Sequence, residues 1–393
     1  MAGACFSWPL SSLMGQRIII VLGLFLSAFV WLTLILTTSL WVLYLARFTH
    51  GMCLNLLSAL STSYMVETAD KNSRGWQNGI LYVCKSVGLL VPAIATMAGL
   101  NWRQTGTLYC VLSLVPIPSL LLLPDSPRWL MTRGRNTDVQ KSLKYFRGDN
   151  CEIESEYSSI AAQAVMEGPG NICHQTSMLF RAPTRHTMGL LLMMMLIIYF
   201  GGSQLVITYL VPILQLTKTS IDPYQISILC FMSRILSAIL FVCLTHRLKR
   251  KPLIIAGFIS TSLSYGMIGL YFILERFEVS GISWMPIAAI LIILFSDGCA
   301  FPGYHTMEGE LLPLSCRTTG ILALKCAGGI SGVVNNMTYE EMIVALGKDA
   351  TFLFYGALGA ICPFVVMFRF QETHGVALEK LTNNIGQERR TDP

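Results

Sequence analysis

The chain has 393 residues, and 28 Lys+Arg against 22 Asp+Glu leave a net charge of +6 with histidine neutral. Only 13% of residues are charged while 53% are apolar, and the mean hydropathy is +0.58; a soluble domain carries about 25% charge. Charge that thin cannot cover a soluble surface of this size, which excludes a cytosolic enzyme, a nucleic-acid binder and a disordered chain. The class that remains is an all-α integral membrane protein.

A helix needs about 20 mostly apolar residues to cross a bilayer. Residues 1–15 are apolar but too short, and Pro9 interrupts them, so they read as a stub. Ten full spans follow, near 18–36, 41–65, 79–99, 106–123, 188–214, 224–245, 252–274, 283–304, 319–339 and 351–369. Of the twelve cysteines, Cys53, Cys84, Cys110, Cys230, Cys243, Cys326 and Cys362 lie inside these apolar runs, where cysteine acts as a small hydrophobe. There is no CxxC and no Cys/His ligand spacing, so no metal or other cofactor is expected. Nor is there a phosphate loop or a catalytic triad spacing, which argues against an ATP-driven pump and against an enzyme.

Basic residues set the expected orientation. Residues 125–185 hold eight Lys+Arg, the link 246–251 (HRLKRK) four more, and Arg17 and the tail share their side. The opposite links hold Arg103, Lys218, Arg276 and Lys348. By the positive-inside rule the first group is cytoplasmic. Ten spans then place both termini in the cytoplasm, in a membrane expected to be the plasma membrane. The expected organisation is an incomplete N-terminal helical bundle over 1–124, a cytoplasmic linker with short helices over 125–185, a six-helix bundle over 186–369 and a cytoplasmic tail over 370–393.

The two halves echo each other. Glu67 stands seven residues before Arg74 in SYMVETADKNSRG, and Glu310 stands seven before Arg317 in MEGELLPLSCRTTG, an offset of 243 residues. Parallel repeats mark a two-bundle transporter whose solute binds between the halves at mid-depth. A carboxylate and an arginine on each half can pair at the inner face in one state and separate in the other. Each exposed pair is worth only about 0–1 kcal/mol, and several together can bias an equilibrium of a few kcal/mol. The opposing reading, solvated loop charges, does not account for the recurrence.

Several motifs, in order, resemble the sugar porter branch of the major facilitator superfamily, which includes facilitated glucose and trehalose transporters. RFTHG (47–51) with Tyr64, Glu67 and Arg74 resembles that family's fourth helix and its following loop. PDSPRWLMTRGR (124–135) resembles its PESPRWL signature, HRLKRKPL (246–253) its DRxGRRPL, GELLP…R (309–317) its ELFP…R, and QETHGVALEKL (371–381) its PETKGxxLEE. The resemblance implies the major facilitator fold with the family's first helix missing and its second reduced to the stub. It implies an inner gate of Glu67, Arg74, Glu310 and Arg317 supported by Arg47, Arg128 and Arg250. It also implies transport of a small polar solute, a hexose or trehalose, by alternating access without ATP, with the bilayer as the other partner and proton coupling left open.

The same alignment shows departures in the expected substrate site. Tyr82 occupies a usual glutamine position, Ile198 and Tyr199 replace paired glutamines, Arg234 stands where many members have a neutral amide, and Tyr304 replaces tryptophan. Gly202, Gln204 and Tyr209 keep the pattern. Lys85, Arg234 and Asp297 sit near the middle of spans, where an ionised group costs about 2.5–3.5 kcal/mol and so faces a cavity or a partner. Two readings stay open: an internal salt bridge of Asp297 with Arg234 or Lys85, or a site for an anionic or zwitterionic solute. An organic-ion transporter of the same superfamily, or a non-transporting remnant, are therefore the alternatives. The expected substrate-binding set is Tyr82, Lys85, Gly202, Gln204, Tyr209, Arg234, Asp297 and Tyr304.

Overall fold

The computed structural model describes residues 14–69, 74–148, 154, 156–158, 160–161, 177, 179–181, 184–201, 203–217, 219, 221–244, 249–312 and 317–369. Residues 1–13 of the stub, the tail, Gly202, Lys218 and the side chains of Arg74, Glu310 and Arg317 lie outside the described residues. Helices α1 (Gln16–Leu36), α2 (Leu40–Thr68), α3 (Arg74–Met97), α4 (Trp102–Leu114), α5 (Ile117–Leu122), α6 (Pro127–Thr132) and α7 (Asn136–Arg147) come first. They are followed by α8 (Thr184–Gly201), α9 (Gln204–Thr208), α10 (Leu210–Gln215), α11 (Pro223–Leu244), α12 (Arg250–Arg276), α13 (Trp284–Leu311), α14 (Arg317–Leu346) and α15 (Lys348–Arg369). Among the described residues there is no strand.

Among the described residues, eight helical segments are long and apolar enough to cross a membrane by length and composition. The expected ten included α2 and α14. Both are long enough, at 29 and 30 residues, but serines, asparagines and ionised groups such as Asn55, Glu67, Lys325 and Glu340 dilute their apolar runs. The span expected at 188–214 is not one helix. It breaks after Gly201 and again at Tyr209, giving α8, α9 and α10. Gly201 and Pro212 explain the interruption, since glycine weakens a helix and proline removes a backbone donor.

The described residues fall into two compact units, one within Met1–Gln77, Leu100–Met178 and Thr318–Cys326, the other within Asn78–Gly99, Leu179–Arg317 and Ala327–Pro393. In the first, α1 packs on α2 and α4. Ile19, Ile20, Leu60 and Tyr64 form one buried cluster. The amphipathic α7 buries Val139 and Leu143 against Leu130 of α6. Large apolar side chains face outward, with Leu36 71% and Trp41 80% exposed, the pattern of a surface solvated by lipid.

The end of α2 is a polar hub. Glu67 accepts hydrogen bonds from Gln16 Nε2 at 2.7 Å, from Ser63 Oγ at 3.2 Å and from Ser126 Oγ. Arg17 pairs with Asp125 at 3.0 Å, and the Tyr64 hydroxyl donates to the Pro124 carbonyl at 2.6 Å. Arg147 binds Glu156 at 2.8 Å and caps α2 by donating to the Thr68 carbonyl at 2.7 Å. Because Glu67 is the shared acceptor, Glu67→Ala is expected to cost about 1–3 kcal/mol and lower the thermal midpoint in detergent. Glu67→Gln, which keeps an acceptor oxygen, is expected to cost less. Equal losses for the two variants would discount the hub.

In the second unit, α12 packs on α13 and α15, α11 on α13, and α8 on α15. Leu205, Val206, Leu210 and Leu214 of the broken segment reach into the main core beside Tyr265, Ile293 and Phe352. The Tyr199 ring lies over Gly328 and Gly332 of α14, where any larger residue would meet it. This core surrounds two polar clusters.

Candidate functional site

A charged residue in a membrane helix must find a counter-charge or water, and Arg234 of α11 finds Asp297 of α13. Arg234 Nε lies 2.6 Å from Asp297 Oδ2, with the two side chains 2% and 3% exposed. Arg234 Nη1 donates to Ser86 Oγ of α3 at 3.0 Å. The other carboxylate oxygen, Oδ1, accepts from Ser203 Oγ in the gap between α8 and α9. Four segments thus meet at one ion pair. Gly298 permits it: a Cβ there would lie 2.6 Å from the Arg234 carbonyl, so α11 and α13 touch backbone to backbone. Of the two partners open to Asp297 in the sequence, the structure selects Arg234.

A small cavity adjoins the pair, walled by Ser203, Thr261, Ser296 and Asp297 with Phe258 and Phe301. Its volume of about 20 Å³ admits a water or two and is far too small for a sugar. As built, the ion pair is a closed internal contact, with Arg234 Nε on Asp297 and Nη1 on Ser86.

Lys85 goes elsewhere. Its ammonium lies 5.7 Å from the Tyr82 ring centroid and 6.0 Å from that of Phe301, within cation–π range. Tyr82 stacks at 5.9 Å on His305, and Phe301 meets the same ring edge-on at 4.7 Å. His305 Nδ1 lies 2.5 Å from Glu308 Oε2. The buried Tyr304 hydroxyl donates to the Leu191 carbonyl at 3.2 Å. So Tyr82 and Lys85 share a cluster with His305 and Glu308, two residues the motif comparison passed over. Their three-residue spacing in an apolar run, on one helix face, was the available signal.

The remaining expected residues lie near α14. The Tyr209 hydroxyl donates to the Asn336 carbonyl at 3.0 Å, and its ring sits 4.6 Å from that of Tyr339. Asn335 donates to the Tyr199 carbonyl at 2.7 Å. Among the described residues, Asn335 Oδ1 and the Tyr339 hydroxyl are buried with no hydrogen-bond partner. Neither was anticipated from sequence. Gln204 is half-buried one turn before Thr208, which bonds its carbonyl.

Of the expected gating set, Glu67 sits in its hub and Arg250 opens α12, while Arg128 lies in the first turn of α6. Arg47 does not join Glu67. They stand twenty residues apart on α2, about 30 Å at 1.5 Å per residue. Arg47 instead lies 5.9 Å over the Trp31 ring, which stacks on Tyr109. An inner-end role for Arg47 is corrected by that distance.

Residues 1–384 match the family model described as Sugar (and other) transporter. The chain is similar to the facilitated trehalose transporter Tret1 of Polypedilum vanderplanki, 26% identical over a 401-residue alignment covering 99% of this chain and 78% of the relative. It is also similar to Tret1 of Apis mellifera ligustica, 25% identical over 370 residues, covering 92% and 72%. Among solved structures, the major facilitator superfamily proton:xylose symporter XylE bound to 6-bromo-6-deoxy-D-glucose superposes with a TM-score of 0.77 at 20% identity, covering 98% of this chain and 86% of that one. The inward-open form of XylE from E. coli gives 0.74 at 18%, covering 97% and 85%. At those identities the structures speak for the fold alone, and they agree with the helical architecture described above. With nearly its whole length matched, the chain is an integral membrane protein of the major facilitator fold and belongs to the sugar (and other) transporter family.

Proposed function

We propose that this chain carries a small sugar, trehalose or a hexose, across a membrane by alternating access without ATP. The observation that carries the reading is the family match over residues 1–384. Geometry supports it where Asn335 Oδ1 and the Tyr339 hydroxyl are buried without partners beside Tyr209. Buried polar atoms of this kind suit a solute rich in hydroxyls, which donates and accepts at once. The Arg234–Asp297 pair satisfies itself, and this disfavours an anionic solute as the main cargo. In this reading the solute site draws on Tyr82, Lys85, Gly202, Gln204, Tyr209 and Tyr304. Arg234 and Asp297 hold the helices that carry it.

Glu67 with Arg74 and Glu310 with Arg317 act as the inner gate, supported by Arg128 and Arg250. The bundles are 1–124 and 186–369, joined by the basic segment 125–185. Both termini lie in the cytoplasm, and the membrane is the plasma membrane. The protein is a carrier and not an enzyme, and it needs no cofactor.

Uptake by purified protein in liposomes tests this directly, with labelled trehalose, glucose and a small organic anion side by side. Saturable sugar flux is expected. Asn335→Ala and Tyr339→Phe are each expected to lower kcat/KM by about 2–10-fold, the worth of one buried hydrogen bond. Flux of the anion alone would overturn the reading.

A further inference from the structure

We propose that the groove between α8 and α15 holds an anionic phospholipid, its acyl chain along the groove and its phosphate at His186 and Arg369. The two helices touch backbone to backbone where Gly201 meets Gly359. Toward the start of α8 and the end of α15 they leave an open groove of about 400 Å³ between them. That volume falls in the range of about 300–1,000 Å³ usual for small-molecule sites. From α8 come His186, Leu190 and Met193, spaced i, i+4 and i+7 on one helix face. From α15 come Phe364, Phe368 and Arg369. The two phenylalanines are 63% and 74% exposed, so they wall the groove without closing it.

The lining is sorted by depth. His186 and Arg369 are the lining residues farthest from the glycine crossing along their helices, and Met193 and Phe364 are the nearest. The groove is therefore apolar within and basic at one mouth. Lys251 of α12 brings a further charge to that mouth, its ammonium donating to the Met367 carbonyl of α15 at 2.8 Å. Arg185 is exposed beside His186. Among the described residues that line the groove, none is acidic.

A phospholipid has the same order of chemistry. The guanidinium of Arg369 keeps its charge at physiological pH and presents its donors in a planar fork that matches phosphate oxygens, and the His186 ring adds an N–H donor. Deeper in, the leucine, methionine and phenylalanines offer an acyl chain the dispersion contacts that an unfilled groove forfeits. A zwitterionic lipid brings the same chain and phosphate, but its ammonium cancels the charge that the mouth attracts. Basic pockets between membrane helices hold acidic headgroups in this way. With the termini in the cytoplasm, as proposed above, the groove opens to the leaflet where anionic lipids concentrate. The site itself rests neither on that orientation nor on transport.

Photolabelling tests this. The purified protein, in phosphatidylcholine liposomes, is exposed to phosphatidylserine carrying a diazirine in one acyl chain, and the labelled peptides are read by mass spectrometry. Labels are expected on both helices, within 186–193 and 364–369, and about fivefold or more weaker with the matching phosphatidylcholine probe. The double variant His186→Gln with Arg369→Gln should lose phosphatidylserine labelling by about the same factor. Its thermal midpoint in lipid-free detergent should hold, because both side chains are exposed. Leu190→Trp fills the groove and should lower labelling by both probes. Equal labelling by the two probes, or labels that persist in both variants, would overturn the proposal. Labels gained only after residues 371–393 are removed would assign the groove to the chain's own tail and overturn it as well.

Discussion

Asp297→Ala is expected to be among the most damaging single substitutions in this chain, costing about 3–5 kcal/mol. The reason is asymmetric. With the carboxylate present, Arg234 has a partner at 2.6 Å and both groups are almost wholly buried. With it gone, a guanidinium that cannot shed its charge stays in the interior with Ser86 Oγ as its remaining acceptor. Ser203 loses its acceptor at the same time. Thermal unfolding in detergent should show a large fall in midpoint. The double variant Arg234→Met with Asp297→Leu removes both charges and should recover much of the loss, because replacing a buried ion pair with apolar groups of similar volume is often neutral. A double variant that unfolds as early as Asp297→Ala would show that the pair does more than cancel itself. Arg234→Lys alone should also lower the midpoint, since one ammonium cannot reach both Asp297 and Ser86 in the geometry of the guanidinium fork.

The sequence made the helices legible because lipid imposes one rule on every span, and apolar length alone satisfies it. It also made the three mid-span charges stand out, since each is costly alone. Which of them pair was not legible: Lys85 and Arg234 both lay at suitable depth, and the choice depends on how α3, α11 and α13 turn about their axes. The close approach at Gly298 decides it, bringing α11 near enough for the shorter reach of Nε. The break after Gly201 was hidden by an apolar run that continues past it to Leu216, so hydropathy read one span where the backbone makes three pieces. His305 and Glu308 were overshadowed by the motif residue Glu310, two positions on. Arg47 was carried along with its motif neighbours, although helix rise alone separates it from Glu67.

Gly201 and Gly359 carry the second large expectation. A Cβ on Gly201 would run into the Gly359 amide nitrogen and lie 2.5 Å from its Cα, with the Leu358 carbonyl carbon at 3.1 Å. A Cβ on Gly359 would lie 2.7 Å from the Gly201 carbonyl oxygen and 2.8 Å from Ser262 Oγ. These obstacles are mostly backbone, so no rotamer change relieves them, and α8 must part from α15. Small residues at such crossings let membrane helices pack by direct backbone contact. Gly201→Ala is therefore expected to cost at least about 1–3 kcal/mol from overpacking, and Gly201→Leu more. Gly189→Ala on the same helix is the control, because nothing lies within 4 Å of its Cβ position. There alanine's better helix propensity, up to about 1 kcal/mol, should leave the midpoint unchanged or raised. The consequence reaches the polar centre as well. Gly201 ends α8 just before Ser203, which bonds Asp297. Moving α8 off α15 should draw that hydroxyl from the carboxylate. Gly201→Ala and Ser203→Ala should then be less than additive when combined, because the first already removes what the second deletes. Full additivity of the two midpoint shifts would mean that the crossing and the ion pair are independent, and that the helix break isolates one from the other.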